Sequence, residues 1–166
     1  NLFDPGKFSH AGVVIVIDNI PYLYEYTRTS GYTTKKIKCH YKNKYISKNY
    51  LGPFLHPISN ITKYLGDIWH LSYIGPPINK HKIFDTFKKY DSSLTYNIYS
   101  YPKCTIFRSK DGDKNTHCSG FISRILNNYG ITHIQNTNCI SPSELVRVCI
   151  KSNLYEKKIK MIQQYI

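Results

Sequence analysis

Acidic side chains are scarce in this chain: 10 Asp and Glu stand against 23 Lys and Arg in 166 residues, a formal charge of +13. Such an excess favours contact with phosphate-rich or otherwise acidic partners, which defines a class of surface and not a ligand. Long apolar runs are missing too. The longest, Gly12 to Ile17, is strand-sized, so the sequence offers no membrane-spanning helix and reads as not integral to a membrane. The five cysteines, odd in number and irregular in spacing, do not form the framework of a small disulfide-stapled domain. They point to a reducing intracellular compartment. Methionine occurs once whereas tyrosine occurs 16 times. With abundant Lys, Asn and Ile, this suggests an AT-rich coding genome, as in many large DNA viruses, and hence a host-cytoplasmic or virion protein. No signal-peptide pattern opens the chain, and its start at Asn1 excludes nothing upstream.

Repeats, low-complexity tracts and domain boundaries are absent, so residues 1–166 read as one domain large enough for its own core, with a basic tail from about 153 to 166. Val13 to Ile17 is a β-branched run expected to form a buried strand, with His10 close to its mouth. Asp18 and Asn19 form a turn, and Ile20 to Thr27 returns as a second strand. On it Tyr22, Tyr24 and Tyr26 share one face, and Leu23 and Glu25 the other. Gly52, Pro53 and Pro57 punctuate 49–63, which reads as a surface loop. Asp67 to Ile74 is an expected strand, Asn79 to Tyr90 an expected helix, and Thr105 to Phe107 a further strand. Ser141 and Pro142 form a strong helix start, with Glu144 closing a capping box. Beyond Asn153 the tail continues as helix or crosses the surface.

The most informative stretch is Thr116 to Gly130. Phe121, Ile122, Ile125, Leu126 and Tyr129 recur at helical spacing, and Gly130 supplies a left-handed stop. Cys118 falls in the first turn, where unpaired N–H groups and the helix dipole favour a thiolate. Gly120 keeps the next turn open to a substrate or a neighbouring backbone. Two readings of Cys118 are open: a small core residue, or a nucleophile. The second needs a base, and a hairpin joining the two N-terminal strands turns Glu25 toward the side of His10, where a carboxylate can orient an imidazole. Glu25 reads equally as a solvated strand residue. His117 adjoins Cys118 but points elsewhere, so His10 is preferred as the base; His117 either adds positive charge near the thiolate or has no role.

No metal site is expected. Cys39 and His40 lack a second ligand pair, and Lys110 to Asn115 lacks the remaining calcium ligands. No cofactor is implied. Lys35, Lys36, Lys38, Lys42 and Lys44, interleaved with Tyr32, Tyr41 and Tyr45, form a segment suited to gripping phosphates and stacking on bases, or to a solvated loop or lysine-protected edge strand.

Three stretches together resemble the NlpC-type papain-like superfamily. "CSGF" followed by an amphipathic helix and glycine is similar to its nucleophile motif, "SHAGVVI" to its histidine strand, and "SPSEL" to the segment after the cysteine helix. Here His10 precedes Cys118. That order is similar to the circularly permuted branch, which includes YiiX-like proteins, lecithin:retinol acyltransferase relatives and a set of poxvirus proteins. The Gly-Asp strand usual upstream of the histidine in that branch is not found in these residues: either the chain is trimmed or that element has been lost. The resemblance implies an α+β, papain-like fold with a small antiparallel sheet packed on the cysteine-bearing helix. It further implies Cys118 as nucleophile, His10 as general base and Glu25 as third polar residue. The activity implied is a thiol-dependent hydrolase or acyltransferase acting on an amide, ester or thioester of a peptide, isopeptide or lipid acyl substrate. The competing expectation is a catalytically silent structural protein of a virus particle, whose basic, tyrosine-rich surface binds nucleic acid, an anionic membrane or capsid neighbours.

Overall fold

The structure, a computed structural model, describes residues 8–28, 37–39, 44–46, 51–63, 67–91, 95–96, 115–156 and 159–162. Within them the chain is α+β, with a small antiparallel sheet and three α-helices.

The sheet starts from the expected hairpin. Strand β1 (Gly12–Ile17) pairs antiparallel with β2 (Ile20–Arg28), placing Gly12 opposite Glu25 and Ile17 opposite Ile20. The turn residues Asp18 and Asn19 have φ of 50° and 64°. A two-residue hairpin loop that matches strand twist needs positive φ, which Asp and Asn tolerate better than most residues. The sheet has a third strand where the sequence reads as a loop. Residues Leu51–Pro57 form β5, antiparallel to β2, with Tyr26 opposite Pro53 and Tyr22 opposite Pro57. Proline lacks the N–H of a central strand, but among the described residues β5 is the outer strand in the order β1-β2-β5, and an outer strand tolerates it. A short hairpin, β3 (Ile37–Cys39) and β4 (Lys44–Ile46), lies between β2 and β5 in the chain.

Tyrosine alternation on β2 fixes what the sheet packs on. Tyr24 and Tyr26 point to one face, and each ring sits 5.1 Å from that of Phe121 on the cysteine-bearing helix, between centroids. That helix, Cys118–Tyr129, buries Phe121, Ile122, Ile125 and Leu126 at the spacing read from the sequence. Gly130 ends it at φ 76°, its N–H returning to the last-turn carbonyls. Asn127 then binds the departing chain: its Oδ1 accepts from Thr132 Oγ1 at 2.7 Å and Ile134 N at 3.0 Å, and its Nδ2 donates to Ile134 O at 2.8 Å. A helix at Lys80–Asp91, α1, meets it through Asn128 Nδ2 donating to Thr86 Oγ1 at 2.9 Å. The cysteine-bearing helix is therefore α2, and α3 is Pro142–Lys151, whose N-cap Ser141 accepts from Glu144 N at 3.1 Å. Ile15, Leu55, Ile140 and Leu145 close the core around α2.

Two expectations at the ends of the chain change. The strand predicted for Asp67 to Ile74 is only β6 (Ile68–His70), followed by a single bridge from Tyr73 to Tyr155. Its partner is β9 (Ile159–Ile162), so the basic tail contains a strand that pairs with β6, rather than a helix or a surface run. Two residue pairs remain, β7 (Thr95–Tyr96) alongside β8 (Asn115–Thr116) in parallel, immediately before α2. The strand predicted for Thr105 to Phe107 lies outside the described residues. Among the described residues, no helix is long and apolar enough to cross a membrane.

Candidate active site

The hairpin and α2 converge at one end of the sheet. Glu25 sits on the middle strand, opposite Gly12 on one side and Phe54 on the other, and is only 1% exposed. A carboxylate so placed needs a partner. Its partner is His10, just ahead of β1, whose Nε2 lies 2.7 Å from Glu25 Oε2, so the N–H donates to the carboxylate. Gly12 permits this approach: a Cβ there would stand 2.8 Å from Leu23 Cδ1 and 3.3 Å from Glu25 Cβ. With Nε2 committed to Glu25, Nδ1 is the ring nitrogen left to act toward Cys118, whose interaction with His10 is among the causes that raise the imidazole. The imidazole is 37% exposed, open to an incoming molecule on one side and anchored on the other.

The electrostatics follow from that chain of three. Burial by itself pushes the Cys118 thiol up, but interactions with the neighbouring histidines, His10 before His117, outweigh it and lower the pKa from 9.0 to about 6. Burial likewise works against a charged His10; its bonds to Cys118 and Glu25 reverse this and raise it from 6.5 to about 10. Both shifts favour a thiolate beside an imidazolium, held by a buried carboxylate. By contrast Cys149, a free thiol on the buried face of α3, is pushed up to about 12 by desolvation alone.

His117 is the functional residue that sequence reasoning left without a place. It is the N-cap of α2, 6% exposed, with φ −127° and ψ −178°. Gly120 N donates to its Nδ1 at 3.1 Å, and its Nε2 lies 2.9 Å from Asn138 O. A ring that accepts at Nδ1 and donates at Nε2 is neutral. Of the two histidines that act on the sulfur, His10 is the one paired with a buried carboxylate, and His117 is the one held by backbone groups at both nitrogens. Histidine is not among the favoured capping residues, so pattern reading does not single it out.

Around the cap, the segment 137–140 is bound to the first turns of α2. Ser119 Oγ donates to Ile140 O at 2.7 Å, and Arg124 donates to Asn138 Oδ1 at 2.9 Å and Thr137 Oγ1 at 3.3 Å. Gly120 has the small size this needs: a Cβ would lie 2.9 Å from Thr137 O and 2.8 Å from Thr116 Oγ1. The close neighbour there is protein backbone. Cys139 in the same segment is disulfide-bonded, a link that irregular cysteine spacing does not reveal.

Of the basic candidates, Lys38 falls on β3 and Lys44 on β4, while Lys35, Lys36 and Lys42 lie outside the described residues. Among the described residues, no group of three or more His, Cys, Asp or Glu is placed to hold a metal ion. Comparison with protein-family models, with curated proteins and with solved structures gives no match to this chain.

Proposed function

We propose that the chain is a thiol-dependent hydrolase or acyltransferase, built as a circularly permuted papain-like domain, with Cys118 as nucleophile, His10 as acid–base and Glu25 as its orienting carboxylate. The observation that carries the reading is the 2.7 Å contact of buried Glu25 with an imidazole that acts on a thiol at a helix N-terminus and helps to lower it. Sulfur activated this way attacks acyl carbon. The Cys118 thiolate adds to the carbonyl of an amide, ester or thioester, and the negative charge moves onto the carbonyl oxygen near the N-terminal N–H groups of α2. The imidazolium gives its Nδ1 proton to the leaving amine, alcohol or thiol as the C–N, C–O or C–S bond breaks. A thioester to Cys118 remains. Water, or an acceptor in a transferase, then loses its proton to His10 as it adds to the thioester, and the acyl product departs with the thiolate restored.

Peptide, isopeptide and lipid acyl groups are all substrates of the right chemistry, and the charge of +13 favours an anionic membrane or lipid among them. The test is to incubate the protein with a panel of activated acyl thioesters and esters and read the mass of the intact chain. A single acyl adduct on Cys118, absent in Cys118→Ala and slow to discharge in His10→Gln, is expected. No adduct with any donor at pH 7 to 9 would overturn the proposal. The same +13 charge supports a second reading, a silent structural protein of a virus particle that binds nucleic acid, membrane or capsid neighbours. It is distinguished by an ordinary thiol at position 118 together with salt-sensitive binding.

A further inference from the structure

We propose that His117 is the positioning residue of this site: a neutral imidazole that fixes where the Cys118 sulfur stands by tying the first turn of α2 to the carbonyl of Asn138. The inference rests on the thiol–imidazole reading of Cys118 and His10, and it assigns a structural role to the second histidine beside the sulfur.

The tautomer follows from the two partners. Gly120 N is a backbone donor, so the nitrogen facing it at 3.1 Å must carry a lone pair, and that is Nδ1. Asn138 O is an acceptor, so the nitrogen 2.9 Å from it must carry the hydrogen, and that is Nε2. Ser119 Oγ, whose single hydrogen goes to Ile140 O at 2.7 Å, also turns lone pairs toward Nδ1 at 3.2 Å; Gly120 N–H at 3.1 Å can only donate, and it decides the ring. The opposite tautomer would set two donors against each other at Gly120 and two lone pairs against each other at Asn138. An imidazolium would repel Gly120 N–H just as directly.

A side chain in this state acts at both ends. It occupies the N-cap, where Ser, Thr, Asp or Asn would satisfy one backbone donor and stop. The longer ring reaches past the cap to the 137–140 segment, buried with it. Cys118 is the next residue, so the backbone that carries its sulfur is held from the preceding position by two hydrogen bonds. Positioning matters because a displacement of about 1 Å at a reacting atom costs on the order of a hundredfold in rate.

The test uses the full chain and two readouts independent of any acyl substrate. With 15N-labelled histidine, His117 is expected to show a protonated Nε2 and an unprotonated Nδ1 at pH 7. An imidazolium, or the opposite tautomer, overturns the proposal. The second readout is the pH profile of iodoacetamide alkylation of Cys118 in His117→Asn and His117→Ala, each checked for folding by circular dichroism. Asparagine keeps the acceptor for Gly120 N–H and has no charge at any pH. Its expected midpoint stays near that of the parent, with a rate at pH 6 lowered about threefold, while alanine lowers that rate about tenfold or more. Equal losses in both variants, with the midpoint moved up, would mean that His117 acts by charge and would overturn the positioning role. Failure of every acyl donor with these results intact would count against the proposed function alone. If neither variant folds, the tautomer still decides.

Discussion

Alkylation of Cys118 as a function of pH tests the site at its centre, because a lowered pKa changes reactivity in two opposite directions. Moving the thiol from 9.0 to about 6 leaves half of Cys118 ionised at pH 6, against roughly 0.1% for an ordinary cysteine, or about 500-fold more thiolate. Each thiolate is the weaker nucleophile, by about 20-fold over such a shift for a Brønsted slope near 0.45. The net expectation is a rate with iodoacetamide about 20-fold above that of an exposed peptide thiol at pH 6. The two are equal between about pH 7.5 and 8, and Cys118 is slower above pH 9. Crossing curves are the signature, and peptide mapping by mass spectrometry reads them. Cys149, pushed up to about 12 and buried, is the internal control and should stay unlabelled in the folded chain. In His10→Gln, which retains a donor toward buried Glu25, the imidazolium is gone, burial dominates, and the pH 6 rate falls at least 20-fold. A wild-type midpoint near 9, or a His10→Gln profile that overlays the parent, refutes the reasoning.

Turnover of an acyl substrate should follow a bell in pH, rising through about 6 as Cys118 ionises and falling through about 10 as His10 loses its proton. Glu25→Gln keeps an acceptor for His10 Nε2 but removes the charge that helps raise it, so the bell narrows from both sides; a rise of about one pKa unit at Cys118 cuts the thiolate at pH 6 about fivefold and, after the gain in nucleophilicity, the alkylation rate about twofold. Gly120→Ala forces a methyl group against Thr137 O and Thr116 Oγ1 and should cost about 1–3 kcal/mol in urea denaturation, as overpacking does; an unchanged midpoint would refute the contact. Phe121→Ala empties the space between Tyr24 and Tyr26 and should lose about 3–5 kcal/mol by the same assay.

Local patterns carried much of the architecture. The β-branched run, the Asp18–Asn19 turn and the tyrosine alternation define the hairpin, and helical spacing with Gly130 defines α2, because each depends on neighbours within a few residues. His10 and Glu25 were legible as a pair for that reason: hairpin register brings them to one side. Strand β5 was not, since Gly52, Pro53 and Pro57 are breakers by local preference, and only the pairing with β2 overrides them. The pairing of β9 with β6 spans almost the whole interval from Ile68 to Ile162, and nothing near either strand announces it. His117 escaped because its role depends on a carbonyl 21 residues away. The papain-like character, by contrast, rests on motif resemblance and on the chemistry proposed for the site.

The hairpin carries both His10 and Glu25, only 15 residues apart, whereas Cys118 arrives from about a hundred residues further along the chain. Closing the longer loop costs about 2 kcal/mol more in chain entropy than closing the shorter one. The two halves of the site therefore differ in when they exist during synthesis. The acid–base pair is complete once the first hairpin and its covering strand are made, but it has nothing to act on. Until α2 docks, Cys118 has neither His10 nor the helix end beside it and ionises as an ordinary thiol, so on the proposed reading a partly made chain has no acid–base pair at its sulfur. On that reading fast alkylation at pH 6 comes only with closure, so the fraction of Cys118 labelled quickly there is also a count of finished molecules.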